Sequence, residues 1–173
     1  MTSGKIMSVP LPPSSVLYAP SIPYDYADSY SAVLSDSSMT ATDAAWEFFG
    51  QAPRWVGTLM RMRNSFVSLF GLKTGQSQKP VERRALVPGQ KVGLFRIYSA
   101  SPTEVILGED DRHLNFRVSV LVDPGDQSKK KLVVSTVVHY QNGWGQIYFF
   151  FVRPFHRIIV PAMFRRMITR LAA

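Results

Sequence analysis

Between Gln90 and Tyr140 the apolar residues return at every second position. Leu114, Phe116, Val118, Val120 and Val122 alternate with Asn115, Arg117, Ser119 and Leu121, and Leu132, Val134, Thr136, Val138 and Tyr140 repeat the pattern after the turn signal Asp123-Pro124-Gly125-Asp126. A period of two puts alternate side chains on opposite faces of a strand, and no helix satisfies it. The same reading makes Lys91–Ala100 and Thr103–Gly108 strands joined at Ser101-Pro102. It makes Asn142-Gly143 a hairpin turn leading into a last strand over Gln146–Val152, whose aromatics (Tyr148, Phe149, Phe150, Phe151) leave both faces apolar. Strands joined by such short turns form a meandering antiparallel sheet. A sheet of that kind buries one face and needs a layer to cover it.

The covering layer is sought in the helical segments. Residues 1–24 hold five prolines and read as an extended arm, and Asp25–Ser35 reads as a strand. Thr40 followed by Asp43 is a capping pair for a helix carrying Ala44, Ala45, Phe48 and Phe49. Pro53 opens a second helix, on which Trp55, Leu59, Met62, Phe66 and Leu69 share a face. Thr74–Pro88 is a polar, basic connection. Arg153–Leu171 is the last helix, with Pro154 in its first turn and Pro161 inside it as a kink. On it Val160, Met163, Phe164, Met167, Ile168 and Leu171 occupy an arc of roughly 160°. The expectation is one α+β domain over residues 25–173 behind a proline-rich arm.

The order strand, two short helices, antiparallel strands and long C-terminal helix resembles the helix-grip fold of the birch-pollen-allergen and START-type lipid-transfer superfamily. In that fold the sheet curls around the last helix and leaves a cavity. In detail the chain resembles an uncharacterised bacterial domain-of-unknown-function family. The likeness rests on Pro53-Arg54-Trp55, Leu59-Met60-Arg61-Met62-Arg63-Asn64, Phe70-Gly71-Leu72-Lys73, the run Leu107 to Leu114 (Leu-Gly-Glu-Asp-Asp-Arg-His-Leu), Phe116-Arg117 and Arg153-Pro154-Phe155-His156-Arg157. That family also occurs fused behind short-chain-dehydrogenase-like domains. The resemblance implies a fold and a ligand cavity, and it brings no catalytic residues. The superfamily's glycine-rich loop has no counterpart around Ser99–Thr103, so no phosphate cradle is expected there.

Composition narrows the chemistry. The 173 residues include no cysteine, which excludes a disulfide framework, a thiol nucleophile and thiolate-bound zinc, and fits a cytoplasmic location. No apolar run is expected to span a membrane, and Met1–Ser15 lacks a signal-peptide core. The net charge of +8 is unevenly laid out. Residues 51–101 set nine basic groups against Glu82, and 129–173 set eight against none, while 1–50 and 102–128 are acidic. The basic groups fall in a linker, a turn and a helix without the interleaved aromatics of a nucleic-acid surface, so no nucleic-acid partner is expected. There is no phosphate loop, dinucleotide fingerprint or serine elbow, and the spacing of His113, His139 and His156 favours no metal site. No cofactor is expected.

The densest ionisable stretch is Gly108-Glu109-Asp110-Asp111-Arg112-His113. It reads as a hairpin tip with salt bridges, as a recognition element, or as a carboxylate–histidine acid–base or metal site. His139 shares a face with Ser135 and Val137 and is expected opposite Asn115, Arg117 and Ser119, forming polar stripes on the wet side of the sheet. His156 is expected in the first turn of the last helix. That helix packs its Met and Phe side against the sheet rather than a membrane. The expected function is binding of a small apolar, lipid-, ketide- or steroid-like molecule between sheet and helix, lined by Phe66, Phe116, Val118, Val134, Thr136, Phe149, Met163 and Met167. Glu109, His113 and Arg117 would add polar contacts if their faces point inward. The alternatives are an acid–base enzyme of the cyclase or isomerase kind in the same cavity, and an interaction module for a dehydrogenase-like partner or a second copy.

Overall fold

The computed structural model describes residues 5–19, 23–34, 38–49, 86–92, 95–124 and 130–171. The second helix expected from Pro53, with Phe66, lies outside them. Seven antiparallel strands form one sheet: β1 (Met7–Val9), β2 (Tyr26–Val33), β3 (Lys91–Val92), β4 (Phe95–Ala100), β5 (Glu104–Asp110), β6 (Leu114–Asp123) and β7 (Lys131–Tyr140). Their order across the sheet is β1-β2-β7-β6-β5-β4-β3. Helix α1 (Ala41–Phe49) follows β2, and helix α2 (Gly143–Leu171) follows β7. This is an α+β architecture, with β2, α1 and β4 to β7 close to where the periodicity put them; Lys91–Ala100, expected as one strand, is instead two, β3 and β4, paired antiparallel with each other.

Register explains why one face becomes the core. Val118 pairs with Thr136, Val120 with Val134 and Val122 with Leu132, so the apolar rows of β6 and β7 coincide. β5 adds Val105 and Leu107 opposite Val120 and Val118. α1 lies on this inner face, burying Ala41, Ala44, Ala45, Trp46 and Phe48. Its start is the expected capping pair: the Asp43 amide donates to Thr40 Oγ1 at 3.2 Å, and Thr40 Oγ1 donates to Asp43 Oδ2 at 2.6 Å. The end of α2 closes the layer with Phe164, Met167 and Ile168.

α2 corrects the reading of residues 142–152. There is no hairpin at Asn142-Gly143 and no strand over Gln146–Val152; one helix runs from Gly143 to Leu171, with Pro154 and Pro161 both inside it. The cause is local. Asn142 is an N-cap, its Oδ1 accepting from the Gly145 amide at 3.1 Å while its Nδ2 donates to the Arg112 carbonyl at 2.9 Å. Gly145 and Phe149, four residues apart, then turn toward the sheet, and β-prone aromatics lose to a capped helix in phase with Phe164. The unbroken helix is also long and apolar enough, by length and composition, to cross a membrane, which the shorter segments had concealed. Its inner side is committed to the sheet.

The start of α2 depends on Gly145. A Cβ there would overlap the His113 carbonyl oxygen, a backbone atom unable to swing aside. Gly145→Ala is therefore expected to destabilise the fold by about 2 kcal/mol through forced separation of α2 from the β5–β6 turn. Urea denaturation checks this, and an unchanged midpoint would refute the contact.

The outer face departs from expectation too. His139 is in register with Asn115, and Ser135 with Ser119, as the polar stripes require. Ser29, Ser119 and Ser135 are nevertheless buried rather than wet. Residues 11–17 lie over part of this face, packing Leu11 and Leu17 on Ile106 and Val137. Glu104, 5 % exposed, holds them. Its carboxylate accepts from Ser15 Oγ at 2.6 Å, the Val16 amide at 2.9 Å and Ser119 Oγ at 2.5 Å. Ser29 Oγ donates to Ser135 Oγ at 2.8 Å. The buried hydroxyls of Ser15, Ser29, Ser119 and Ser135 are thus paired, which is the condition for burying them cheaply.

Candidate functional site

β2 alternates Tyr26, Asp28, Tyr30 and Ala32 on the inner face, opposite Val138, Thr136, Val134 and Leu132 of β7. Asp28 is thus a carboxylate on an otherwise apolar or aromatic surface. Above it α2 supplies His156, whose Nε2 lies 3.2 Å from Asp28 Oδ1 and 3.1 Å from Oδ2. Both side chains are mostly shielded, at 15 % and 13 % exposure. Tyr26 donates its hydroxyl to Asp28 Oδ2 at 2.7 Å and packs its ring on Phe149 and, edge-on, on His156. The Arg157 side chain lies beside the Tyr26 hydroxyl, and the Arg153 guanidinium sits 5.3 Å over the Tyr26 ring. The cluster is an acid–imidazole pair, oriented by a phenol and backed by cationic groups.

Thr136 stands beside Asp28 in the same register row, followed by Val118 and Leu107. Its residue is 3 % exposed, and Oγ1 has no hydrogen-bond partner among the described residues. A buried hydroxyl left without a partner costs about 1–3 kcal/mol, so this one is a polar atom with hydrogen-bonding capacity to spare. On the same core layer several apolar side chains are only partly buried: Tyr30, Phe95, Phe116, Val160 and Met163. Phe95 and Phe116 meet edge-to-face at 5.6 Å, and Phe95 meets Phe49 at 5.4 Å.

Of the lining expected from sequence, Phe116, Val118, Val134 and Thr136 share the inner face, and Met163 and Met167 turn toward it from α2. Phe149 instead packs in a neighbouring cluster with Tyr26, Leu114 and Val138. Phe66 lies outside the described residues. Of the three polar candidates, Glu109 faces inward, opposite Phe116, while Arg117 and His113 do not. Arg117 is on the outer face, 3.7 Å over the Tyr98 ring and 2.8 Å from Asp110 Oδ1. His113 precedes β6 and sits 3.4 Å from Asn142 Oδ1. Glu109 is at the margin of the inner face, paired with Lys91 at 3.3 Å. The acidic stretch is thus a salt-bridged hairpin, strengthened by Tyr98 donating to Asp110 Oδ2 at 2.8 Å. His139 pairs with Asp25 at 3.2 Å. His156 lies in the middle of α2, not in a first turn. Among the described residues no group of three His, Asp or Glu is placed to hold a metal ion.

Sequence reasoning missed Tyr26, Asp28, Tyr30 and Arg157. The available signal was an acid between two tyrosines at i, i+2 and i+4 in a predicted strand, since a carboxylate on a buried face is seldom idle.

Burial, reinforced by the neighbouring Asp28 carboxylate, pushes the Tyr26 phenol from its ordinary 10.0 up to about 12. Tyr30 is raised for the same two reasons, burial first. The raised value favours the neutral phenol in the folded state. This contribution is therefore complete below pH 10 and is lost as pH climbs toward 12. Tyr26→Phe is expected to flatten the alkaline fall in stability over that window, read by thermal melts and tyrosinate absorbance. A wild-type Tyr26 titrating at its ordinary value would contradict the burial.

The family model described as protein of unknown function (DUF2867) matches residues 22–163. The chain belongs to this family. The matched segment holds every member of the cluster, from Tyr26 and Asp28 to Thr136, His156 and Arg157. It also covers the acidic hairpin on which the resemblance rested. Comparisons with curated proteins and with solved structures give no match.

Proposed function

We propose that this member of the DUF2867 family is a helix-grip domain that binds a small, mostly apolar molecule between the inner sheet face and α2. The observation that carries the reading is the Thr136 hydroxyl, without a hydrogen-bond partner among the described residues and buried beside Asp28 on an apolar face. A ligand with one polar group satisfies Thr136 or the Asp28–His156 pair, while its apolar body takes the surface of Phe95, Phe116, Val160 and Met163. The strand–helix–sheet–helix order, with α2 on the inner face, supports the helix-grip assignment. Native mass spectrometry and thermal shift against sterols, fatty acids and polyketide-like compounds test it. A retained or added mass with a raised melting temperature is expected, and Thr136→Val should weaken a hydroxyl- or carbonyl-bearing ligand by about tenfold. Protein that is empty as purified, and unshifted by every compound, would refute the reading.

A second reading is favoured by one observation, the shielded Asp28–His156 contact. A histidine held by a carboxylate is the usual form of a general base, and Tyr26 is a hydroxyl donor within the same cluster. On this reading the bound ketide- or steroid-like molecule is isomerised or cyclised by proton transfer at His156. Asp28→Asn would then lower turnover by about a hundredfold or more while leaving binding intact. Equal loss of binding and turnover would reduce the pair to a binding element.

A further inference from the structure

The outward side of α2 carries its own apolar surface. Trp144, Ile147, Phe150, Phe151, Pro154 and Ile158 follow one another at helical spacing, within an arc of about 120°. They point away from the buried residues Gly145, Phe149 and Phe164. Phe150 is 71 % exposed and Ile158 60 %, and Trp144, Ile147 and Phe151 are exposed as well. Single exposed apolar residues are ordinary, but a continuous stripe of aromatic and branched side chains over four turns is not.

Charge identifies what covers it. α2 has five arginines (Arg153, Arg157, Arg165, Arg166 and Arg170) and no acidic residue in 29 positions. Arg153 and Arg157 flank the stripe on one side, while Arg165 lies in line with it two turns beyond Ile158. Apolar residues bordered by arginines, with a tryptophan at one end, form the pattern of a helix lying in an anionic membrane interface. There the rings enter the headgroup boundary and the guanidinium groups meet phosphates. A second copy fits less well, because a symmetric helix pair brings arginine rows together with no acid on either helix to offset them. Phe149, Phe164, Met167 and Ile168 are buried against the rest of the domain, and a crossing would strip them from it, so a helix lying along a bilayer fits better than one spanning it, despite its sufficient length.

We propose that the Trp144–Ile158 face of α2 docks the domain onto an anionic lipid surface. This stands apart from the ligand reading, since the apolar stripe and the sheet-facing residues lie on opposite sides of one helix; Arg153 and Arg157, next to Tyr26, border both. The test is co-sedimentation of the full chain with vesicles of phosphatidylcholine alone and of phosphatidylcholine with phosphatidylglycerol, paired with Trp144 fluorescence, using Trp144→Phe to assign the signal. Partition onto the anionic vesicles at least about tenfold above the neutral ones is expected, with a blue shift that Trp144→Phe removes. Phe150→Glu with Ile158→Glu should abolish partition without changing the melting temperature, both side chains being solvent-exposed. Arg165→Gln with Arg166→Gln should reduce it about tenfold and make it less sensitive to salt. Equal binding to both vesicle types, no binding to either, or undiminished binding by the double glutamate variant would each overturn the proposal. So would a concentration-dependent dimer that the double glutamate variant dissociates.

Discussion

Replacing Glu104 with alanine is expected to cost about 3 kcal/mol and to release residues 11–17 from the sheet. The carboxylate collects three donors from two parts of the chain: Ser15 Oγ and the Val16 amide from the N-terminal segment, and Ser119 Oγ from β6. Without it, a part-buried amide and two buried hydroxyls lose their acceptor together. The loss spreads, because Leu11 and Leu17 are held on Ile106 and Val137 only while the segment lies flat. Exposing a leucine forfeits about 2 kcal/mol of burial. Glu104→Gln keeps the shape and one acceptor oxygen, and the hydroxyls can rotate to accept from its amide, so a loss of about 1 kcal/mol is expected. Urea denaturation gives the energies, and limited proteolysis with mass analysis shows whether cleavage moves into residues 5–19. An alanine variant as stable and as protease-resistant as wild type would mean that the carboxylate does not hold the segment.

Phe164→Ala is expected to cost about 4 kcal/mol. The residue is 0 % exposed, meets Phe48 edge-to-face at 6.5 Å, and sits where α1, α2 and the sheet converge. Its removal leaves a void among α1 and α2 residues that cannot collapse, since Met167 and Ile168 are fixed by the same helix. Against a typical stability of 5–15 kcal/mol, that loss is enough to populate unfolded chains at modest temperature. Phe164→Leu retains most of the volume and should lose only about 1.5 kcal/mol, which keeps the test readable if the alanine variant fails to fold. Urea midpoints give both values. A loss below about 1 kcal/mol for alanine would show that the ring does not join the layers.

The sheet was legible because its rule is local. Alternation in Leu114–Val122 and Lys131–Tyr140 fixes which side chains share a face, and short polar turns fix antiparallel pairing. The Thr40–Asp43 cap was legible for the same reason. The residues after Asn142 were not. Asn-Gly before four aromatic positions satisfies a hairpin as well as a helix start, and the choice rests on Asn142 reaching the Arg112 carbonyl in a distant turn. The site suffered similarly. Asp28 and His156 are 128 positions apart, and periodicity says which face each occupies without saying what faces it. Ser119 and Ser135 misled in the opposite sense. Their alternation marks the outer face correctly, but what covers that face comes from a proline-rich segment with no period to read.

The strand order has a consequence for how the chain reaches this state. β2 is synthesised early, yet its inner neighbour is β7, and Ser29 meets Ser135 across 106 positions. Until β7 is available, one edge of β2 stays open, with Tyr26, Tyr30 and Ala32 lacking the rows they pack beside. Pairing at such separation carries a large loop-closure cost before any contact repays it, which places the domain among slow folders. On a ribosome, the first half of the chain waits with an unpaired strand, and that interval is when this protein is most exposed to aggregation.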